Sequence, residues 1–223
     1  FFSRMERGLP WVRMKIAASL DGQTSLQNGQ SQWITSEPAR TDGHAWRARA
    51  CAVLTGIGTV LEDNPRLDVR GHATPRQPHL VIVDSRMETP LSARLFQVTG
   101  RQIWIYAAVD NPDKQAALQT TGAQVRVMPG PSGKVDLDAM LRDLAEREVN
   151  ELHVEAGHKL NGSLLREGLV DELLTYLAPK LMGQGRGMTN LGPFTTLDDA
   201  KALSFHEVTQ IGPDLRILAR LSR

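Results

Sequence analysis

The sequence predicts an α/β fold in which a mixed sheet carries helices on both faces and ends in an antiparallel C-terminal hairpin. Apolar runs of strand length alternate with segments of helical periodicity as far as Gly168, which indicates a layered arrangement of sheet and helices. Beyond that point two strand-like segments follow one another across Gly212-Pro213, with no helix between them. The composition is globular, since 41% of the 223 residues are hydrophobic and 23% are charged.

The first part of the chain alternates strand and helix. Residues 12–20 form an apolar segment that closes in the turn pair Asp21-Gly22, and the residues that follow are polar and typical of a loop. Ser36 suits the cap of a helix, in which small residues recur at helical spacing. A short strand is predicted at 52–55, followed by a short helical turn that stops before Asn64-Pro65.

The central elements are the most regular. Residues 79–83 and 103–107 are apolar runs with little alternation, which is typical of strands buried on both faces of a sheet. A helix is predicted over 112–121 and a strand over 124–128. Residues 136–148 give the clearest helix, because their apolar side chains recur with the i, i+3, i+4, i+7 spacing of one helix face.

The last third of the chain changes from alternation to consecutive strands. A strand at 152–155 leads into a helix that ends at Gly168. Strands are then predicted at 172–181, 204–211 and 215–221, the last two joined as a hairpin.

Charge and cysteine content exclude several classes of protein. Lys and Arg number 26 against 25 Asp and Glu, and this near balance argues against a nucleic-acid or membrane-surface binder. No apolar run is long enough to span a bilayer, and no signal-peptide pattern opens the chain. Cys51 is the single cysteine, which excludes an internal disulfide and favours a cytoplasmic location. The six His have no metal-ligand spacing, so no metal is predicted.

The glycine motifs are weak by themselves. Gly56-x-Gly58 follows a strand but lacks the third glycine of a dinucleotide fingerprint. Gly183-x-Gly185-x-Gly187 has the wrong spacing for such a fingerprint, so both are interpreted as tight turns.

Four other places can carry chemistry, although each has a plain structural interpretation. Glu155-Ala156-Gly157 ends a strand where a helix begins, and helix-start amides hold phosphates. Ser85-Arg86 follows another strand and suits a phosphate monoester such as the 2′-phosphate of NADPH. Lys15 interrupts an apolar strand and Asp63 ends a short helix, a combination that could act in acid–base chemistry. An ordinary turn or a solvated side chain remains the alternative for each.

Taken together, five linked motifs resemble one family. They are MKIAASLDG from residue 14, SQWITS from 31, TVLEDNPRL from 59, VEAG from 154, and GLVDEL from 168 with APKL from 178. In this order they closely resemble the reductase domain of the bacterial bifunctional riboflavin-biosynthesis deaminase–reductase. The resemblance runs from about residue 12 to the C-terminus. Residues 1–11 begin with Phe and resemble the linker after the deaminase domain, so a reductase domain is predicted over 12–223. The zinc deaminase signature is absent from this chain.

This resemblance implies a dihydrofolate-reductase-like fold and an oxidoreductase activity. Members reduce 5-amino-6-(5-phosphoribosylamino)uracil with NADPH, and they are commonly dimers fused to the deaminase. The resemblance implies catalytic roles for Lys15 and Asp63. The implied cofactor contacts are Ala17, Trp33, Thr59, Asp63, Ser85, Arg86, Gly157, His158, Lys159, Leu160, Asn161, Gly162 and Ser163. The implied substrate contacts are Ser31, Arg47, Leu67, Arg70 and Glu155.

Two alternatives stay open at this point. The first is a reductase of the same fold that acts on a diaminopyrimidinone ribosylamine phosphate or on a dihydropterin. Arg47 and Arg70 favour a phosphorylated substrate but do not identify the ring. The second is a nucleotide-binding module without catalysis, which the presence of both Lys15 and Asp63 disfavours.

Overall fold

A computed structural model describes residues 1–222 of the chain. In chain order its helices and strands are α1 Phe2–Arg7, β1 Trp11–Ser19, β2 Gln23–Leu26, α2 Glu37–Arg49, β3 Ala52–Gly56, α3 Ile57–Asp63, β4 His79–Val83, β5 Ile103–Ala107, α4 Pro112–Gln119, β6 Gln124–Val127, α5 Leu137–Glu146, β7 Glu151–Val154, α6 His158–Arg166, β8 Glu172–Ala178, β9 Gly185–Gly187, β10 Leu203–Ile211 and β11 Asp214–Leu221. Within the described residues, no helix is long and apolar enough to cross a membrane.

The chain divides into two compact units, each formed from two segments. Unit 1 comprises Phe1–Trp11 and His44–Ala156, and unit 2 comprises Val12–Gly43 and the chain from Gly157 onward. The start of unit 1 contains α1, although the sequence predicts a linker there. The assignment of residues 1–11 as a linker, and of 12–223 as one domain, stays a prediction.

Unit 1 is built on parallel strands in the order β7-β3-β4-β5-β6. The runs 79–83 and 103–107 are strands as predicted, and their apolar side chains form the centre of the unit. The core includes Val53, Leu80, Ile82, Ile103 and Ile105. Because parallel strands run in one direction, the segments that follow them emerge at a common edge of the sheet, where ligands bind in open α/β sheets.

Side-chain caps fix the starts of the two helices that follow β5 and β6. The Asn111 side chain accepts a hydrogen bond from the Lys114 amide at the start of α4. Asp136 accepts from the Ala139 amide at the start of α5, whose buried face contains the predicted apolar positions.

Unit 2 contains a mixed sheet in the order β10-β11-β8-β1. β1 and β8 are parallel, whereas β11 runs antiparallel to both β8 and β10. Gly212 begins the connection between β10 and β11 with a φ of 60°, a backbone conformation that glycine adopts readily. The predicted C-terminal hairpin is therefore confirmed, while β8 ends at Ala178, three residues earlier than predicted.

A second, two-stranded sheet corrects the interpretation of the glycines at 183–187. Residues 185–187 form β9, which pairs antiparallel with β2. A Cβ at Gly185 would overlap the carbonyl oxygen of Ser25, so this glycine permits a close approach of two backbones. The sequence analysis missed both strands because they are short and β9 carries a side chain only at Arg186.

After β9 the chain runs over the surface before it enters the hairpin. Residues 192–206 are exposed throughout, and the segment contains a 3-10 turn at Leu197–Asp199. Thr196 and Asp199 close this turn as a capping box.

Candidate functional site

An ion pair in unit 1 joins the end of α2 to the residue after β7. Arg47 Nε and Nη2 donate to Glu155 Oε1 and Oε2 at 2.7 Å and 2.9 Å. The two side chains are only 12% and 15% exposed. Burial works to lower the pKa of Arg47, but the Glu155 carboxylate outweighs it and raises that pKa. Arg47 is therefore a charged group with a fixed orientation.

The segment after α3 brings two further candidate residues to Arg47. Arg47 Nη1 donates to the backbone oxygen of Asp68, and Arg70 Nη1 donates to Asp68 Oδ1 at 2.5 Å. Arg66 Nε donates to the other carboxylate oxygen at 3.0 Å. Burial tends to raise the pKa of Asp68, but Arg66 and Arg70 hold it below its usual value. Leu67, next to Asp68, is buried and has a φ of 48°.

His44 completes this group, which we call the arginine cluster (His44, Arg47, Arg66, Leu67, Asp68, Arg70, Arg101 and Glu155). Its Nδ1 lies 3.3 Å from the Arg70 amide and 3.4 Å from Arg47 Nη1. Burial, followed by repulsion from Arg47 and Arg70, lowers the pKa of His44 to about 4, so the ring is neutral at pH 7. Four guanidinium groups face two carboxylates in the cluster, which leaves two positive charges.

Helix α3 carries Thr59 and ends at Asp63. Asp63 is exposed and lies at the helix end where the dipole disfavours a negative charge, whereas Asn64 caps the helix through a left-handed backbone. Asp63 therefore stands at the end of α3, as the sequence predicts, and its role stays a prediction.

Ser85 and Arg86 follow β4 at the carboxyl edge of the unit 1 strands. The fully buried Asp84 precedes them and accepts hydrogen bonds from the Thr89 amide and hydroxyl at 2.8 Å and 2.7 Å. Ser85 Oγ accepts from the Val135 amide at 3.3 Å, which leaves its hydroxyl proton able to donate. Arg86 is exposed, and its carbonyl accepts from Lys114 Nζ at 3.2 Å.

In unit 2, Lys15 and Ala17 lie on one face of β1. Both side chains are half-buried, and the intervening Ile16 is buried because successive residues of a strand alternate between faces. Lys15 Nζ lies 5.9 Å from the centre of the Tyr176 ring, within the range of a cation–π contact. Tyr176 itself donates to Asp42 Oδ2 at 2.5 Å.

The loop between β2 and α2 presents Ser31 and Trp33. Trp33 is 64% exposed, and the Arg40 guanidinium stacks over its ring at 4.4 Å. Lys180 Nζ donates to the backbone oxygens of Trp33 and Ile34 at 3.3 Å and 2.9 Å. An exposed ring on a loop that hydrogen bonds hold in place is suited to stacking on a flat ligand.

The remaining candidates form the start of α6. Gly157 occupies the N-cap, and no side chain caps the helix, so its first amides have no intrahelical acceptor. Asn161 is buried, and its Nδ2 donates to the Met188 carbonyl at 3.2 Å, while the His158 carbonyl accepts from the Asn190 amide. A Cβ at Gly162 would overlap the Asn190 carbonyl oxygen. The helix start is therefore held against residues 188–190.

The predicted site residues thus fall into two groups. Unit 1 holds Thr59, Asp63, Ser85 and Arg86, and its arginine cluster brings together Arg47, Leu67, Arg70 and Glu155. Unit 2 holds Lys15, Ala17, Ser31, Trp33 and the start of α6. Every one of these roles stays a prediction.

Sequence reasoning missed four members of the arginine cluster: His44, Arg66, Asp68 and Arg101. Asp68 stands between two quoted residues, and its position beside Arg66 and Arg70 was a usable signal. Arg101 lies more than thirty residues from the segment that it contacts, and no local pattern reveals that contact. Within residues 1–222, no group of three or more His, Cys, Asp or Glu side chains is arranged to hold a metal ion.

Comparisons with known proteins agree with one another. A family model described as the RibD C-terminal domain matches residues 10–217. Riboflavin biosynthesis protein RibD of Escherichia coli K12 is 36% identical over 96% of this chain and 61% of its own length. The corresponding protein of Bacillus amyloliquefaciens is 35% identical over 98% of this chain and 59% of its own length. The chain therefore spans about three fifths of the curated relatives that it matches.

Solved structures extend the comparison to three dimensions. Acinetobacter baumannii RibD superposes with a TM-score of 0.88 at 32% identity, over 100% of this chain and 61% of that one. Riboflavin biosynthesis reductase Rib7 of Saccharomyces cerevisiae gives a TM-score of 0.71 at 20% identity, over 97% and 92% of the two chains. The second likeness shows the fold alone. The predicted α/β fold, with a mixed sheet, flanking helices and an antiparallel C-terminal pair, is confirmed.

Proposed function

This chain belongs to the RibD C-terminal domain family, and from that premise we propose that it is an NADPH-dependent reductase. Its proposed reaction reduces the ribosyl group of 5-amino-6-(5-phosphoribosylamino)uracil and yields the 5-phosphoribitylamino compound. The single observation that carries the proposal is the match to RibD proteins over 96% of the chain.

The arginine cluster supports binding of the substrate phosphate. Its surplus of two positive charges equals the charge of a phosphate monoester dianion, and guanidinium groups bind phosphate in bidentate fashion. Arg47 and Arg70 anchor the phosphate in this proposal, and Ser31, Leu67 and Glu155 contact the rest of the substrate. Binding the remote phosphate would align the sugar carbon C1′ for reduction.

Each unit contains residues that suit a phosphate group of a dinucleotide. The uncapped start of α6, residues 157–163, offers backbone amides to a pyrophosphate. Ser85 and Arg86 offer a hydroxyl and a guanidinium to a 2′-phosphate, while the Asp84 carboxylate points into the interior and accepts hydrogen bonds from Thr89. Ala17, Trp33, Thr59 and Asp63 are the remaining proposed contacts. When bound, NADPH supplies the hydride.

Lys15 and Asp63 are the proposed proton-handling groups. The open-chain imine form of the sugar accepts a hydride at C1′ and a proton at the adjacent nitrogen. Lys15 is a half-buried amine suited to donate a proton, and Asp63 is an exposed carboxylate; both roles rest on the resemblance of their motifs. Asp63→Asn is expected to lower kcat about a hundredfold with folding intact, in line with the loss of one general acid–base group.

The test is NADPH oxidation by the purified chain, followed by absorbance, with freshly prepared 5-amino-6-(5-phosphoribosylamino)uracil. Dihydrofolate, the diaminopyrimidinone ribosylamine phosphate and a mixture without substrate are the controls. Consumption with the uracil compound above the controls supports the proposal. Faster consumption with a control substrate contradicts it, and NADPH binding without any turnover supports a non-catalytic module instead.

Assembly is a separate part of the proposal. The curated relatives are longer than this chain, and we propose a deaminase domain as its fused or separate partner.

We also propose a homodimer, because β10 is the edge strand of the unit 2 sheet and exposes Phe205 and Val208. Light scattering after size exclusion tests the dimer, with Phe205→Glu as the disruptive variant. A cytoplasmic location stays a prediction that rests on the single cysteine.

A further inference from the structure

Residues 65–70, which we call the Leu67 loop, present two of the proposed substrate contacts without the support of a strand or helix. Leu67 adopts a φ of 48°, a backbone conformation that a branched side chain rarely adopts. The Gln77 side chain bonds the Val69 amide at 2.7 Å and its carbonyl at 3.3 Å. Side chains from elsewhere in unit 1 therefore determine the shape of this loop.

Arg101 makes the most extensive of these contacts. Its Nη1 donates to the Leu67 carbonyl at 2.6 Å, and its Nη2 donates to the Arg66 and Leu95 carbonyls at 2.8 Å and 2.9 Å. These three carbonyls belong to two chain segments, so one guanidinium holds the Leu67 loop against the 3-10 turn Arg94–Gln97. A lysine has a single nitrogen at its tip and cannot reproduce this fork.

The charge of Arg101 is retained although the side chain is half-buried. Burial lowers its pKa to about 10, with Asp68 opposing the decrease and Arg47 and Arg66 adding to it. The group is therefore protonated at neutral pH, which allows all three of its hydrogen bonds to be donated. Its partners among the hydrogen bonds given above are all backbone carbonyls, whereas Arg47 and Arg70 each bond a carboxylate.

We propose that Arg101 is a positioning residue for the substrate phosphate. It does not contact the substrate; it fixes the Leu67 loop so that Arg70 meets the phosphate in one orientation. This inference rests on the proposed function, because it assigns the phosphate to Arg47 and Arg70. It adds a residue outside the motifs of the family resemblance and explains why a cation lies against the back of the loop.

The decisive variant is Arg101→Lys, which keeps the charge and loses the fork. We expect its kcat/KM for the phosphorylated uracil substrate to fall about tenfold, since a small misplacement of a binding group is enough for such a loss. The KM for NADPH should stay within about twofold of the wild-type value, because the proposed cofactor contacts are elsewhere. Arg101→Gln, which loses both fork and charge, should behave like Arg101→Lys or worse.

Arg66→Gln is the matched control. It removes one positive charge from the same cluster, as Arg101→Gln does, but it leaves the Arg66 carbonyl in place for Arg101. If the charge alone matters, Arg66→Gln and Arg101→Gln will lower kcat/KM for the phosphorylated substrate by the same factor. We expect Arg66→Gln to lower kcat/KM by less than about threefold. The pair that it loses, with Asp68, is weak because the Arg66 side chain is partly exposed.

A readout without turnover separates this inference from the proposed function. Ribose 5-phosphate should raise the melting temperature of the wild-type chain, and Arg101→Lys should need about ten times more of it for the same shift. A wild-type chain that binds ribose 5-phosphate but reduces no substrate contradicts the proposed function and leaves the effect of Arg101 measurable. Wild-type behaviour of Arg101→Lys overturns the inference, and so does a failure of both variants to fold, which would assign Arg101 to global stability.

Discussion

The two regions suited to phosphate groups work by different physics. The arginine cluster of unit 1 uses side-chain charge: Arg47 and Arg70 are oriented by Glu155 and Asp68. The start of α6 in unit 2 would use backbone amides, and Gly162 lets the main chain approach Asn190. A charged cluster is sensitive to the loss of one partner, whereas an amide cradle is sensitive to added bulk. Variants can therefore damage one region and spare the other.

The largest effect is expected from Arg47→Ala. It leaves the carboxylate of Glu155 buried without its guanidinium, and breaking such a pair lowers the free energy of unfolding by about 3 kcal/mol. Substrate kcat/KM should fall at least a hundredfold, the effect of removing one partner of a buried charge pair that also binds ligand. Urea unfolding and steady-state kinetics measure the two effects.

Arg49→Ala controls for the position on α2. Arg49 pairs with Glu151 at 3.3 Å but is 54% exposed, so we expect a change within about 1 kcal/mol. An equal loss in the free energy of unfolding of the two variants would show that the burial of the Arg47–Glu155 pair is unimportant.

Gly162→Ala should disrupt the start of α6. The added methyl group overlaps the Asn190 carbonyl, so α6 or residues 188–190 must move, which lowers the free energy of unfolding by about 2–3 kcal/mol. The dissociation constant for NADPH should rise more than that for ribose 5-phosphate. Thermal unfolding and calorimetric titration give both numbers.

The control for this variant is Gly58→Ala in α3, where an added Cβ has no atom within 4 Å. An alanine in a helix is expected to stabilise the chain by up to about 1 kcal/mol. If Gly162→Ala binds NADPH normally, the amides at the start of α6 do not form the pyrophosphate site.

Arg86→Ala tests a smaller effect on the cofactor side. The preference for NADPH over NADH should fall about tenfold, because one charge-assisted contact to the 2′-phosphate is lost. The ratio of kcat/KM for the two cofactors measures this preference. An unchanged ratio would remove Arg86 from cofactor discrimination.

The smallest effect is a pH dependence in the charged region. His44 has its pKa lowered to about 4 in the folded chain, against 6.5 for the ordinary side chain, chiefly through burial. Between these values the unfolded chain binds a proton that the folded chain does not, so stability decreases as the pH falls from 6.5 to 4. For a half-buried ring we expect about 1 kcal/mol over this window.

His44→Gln should flatten this part of the stability curve, whereas His206→Gln, at an exposed position on β10, should keep it. Urea unfolding at several pH values gives the slope. Equal slopes in the wild-type chain and His44→Gln would contradict the assignment.

Periodic segments were predictable from the sequence, and contacts between distant segments were not. The buried runs 79–83 and 103–107 and the amphipathic face of α5 follow from local pattern alone. β2 and β9 were missed because both are short, and β9 carries a side chain only at Arg186.

The candidate site shows the same limit. The family resemblance implied Arg47, Leu67, Arg70 and Glu155, but nothing local indicates that Arg101 holds the Leu67 loop. Burial of a charged side chain is decided by tertiary contacts, and a sequence pattern does not record them.

The attachment of α6 to residues 188–190 also separates a fixed part of the chain from an accessible one. Hydrogen bonds from Asn161 and Asn190 secure the chain up to residue 190, whereas residues 192–202, which precede β10, lie on the surface. A protease that cuts exposed peptide bonds is expected to cut within this exposed segment. A cut there would leave the hydrogen bonds between α6 and residues 188–190 intact. This segment is therefore a suitable place to insert a tag or a sensor domain.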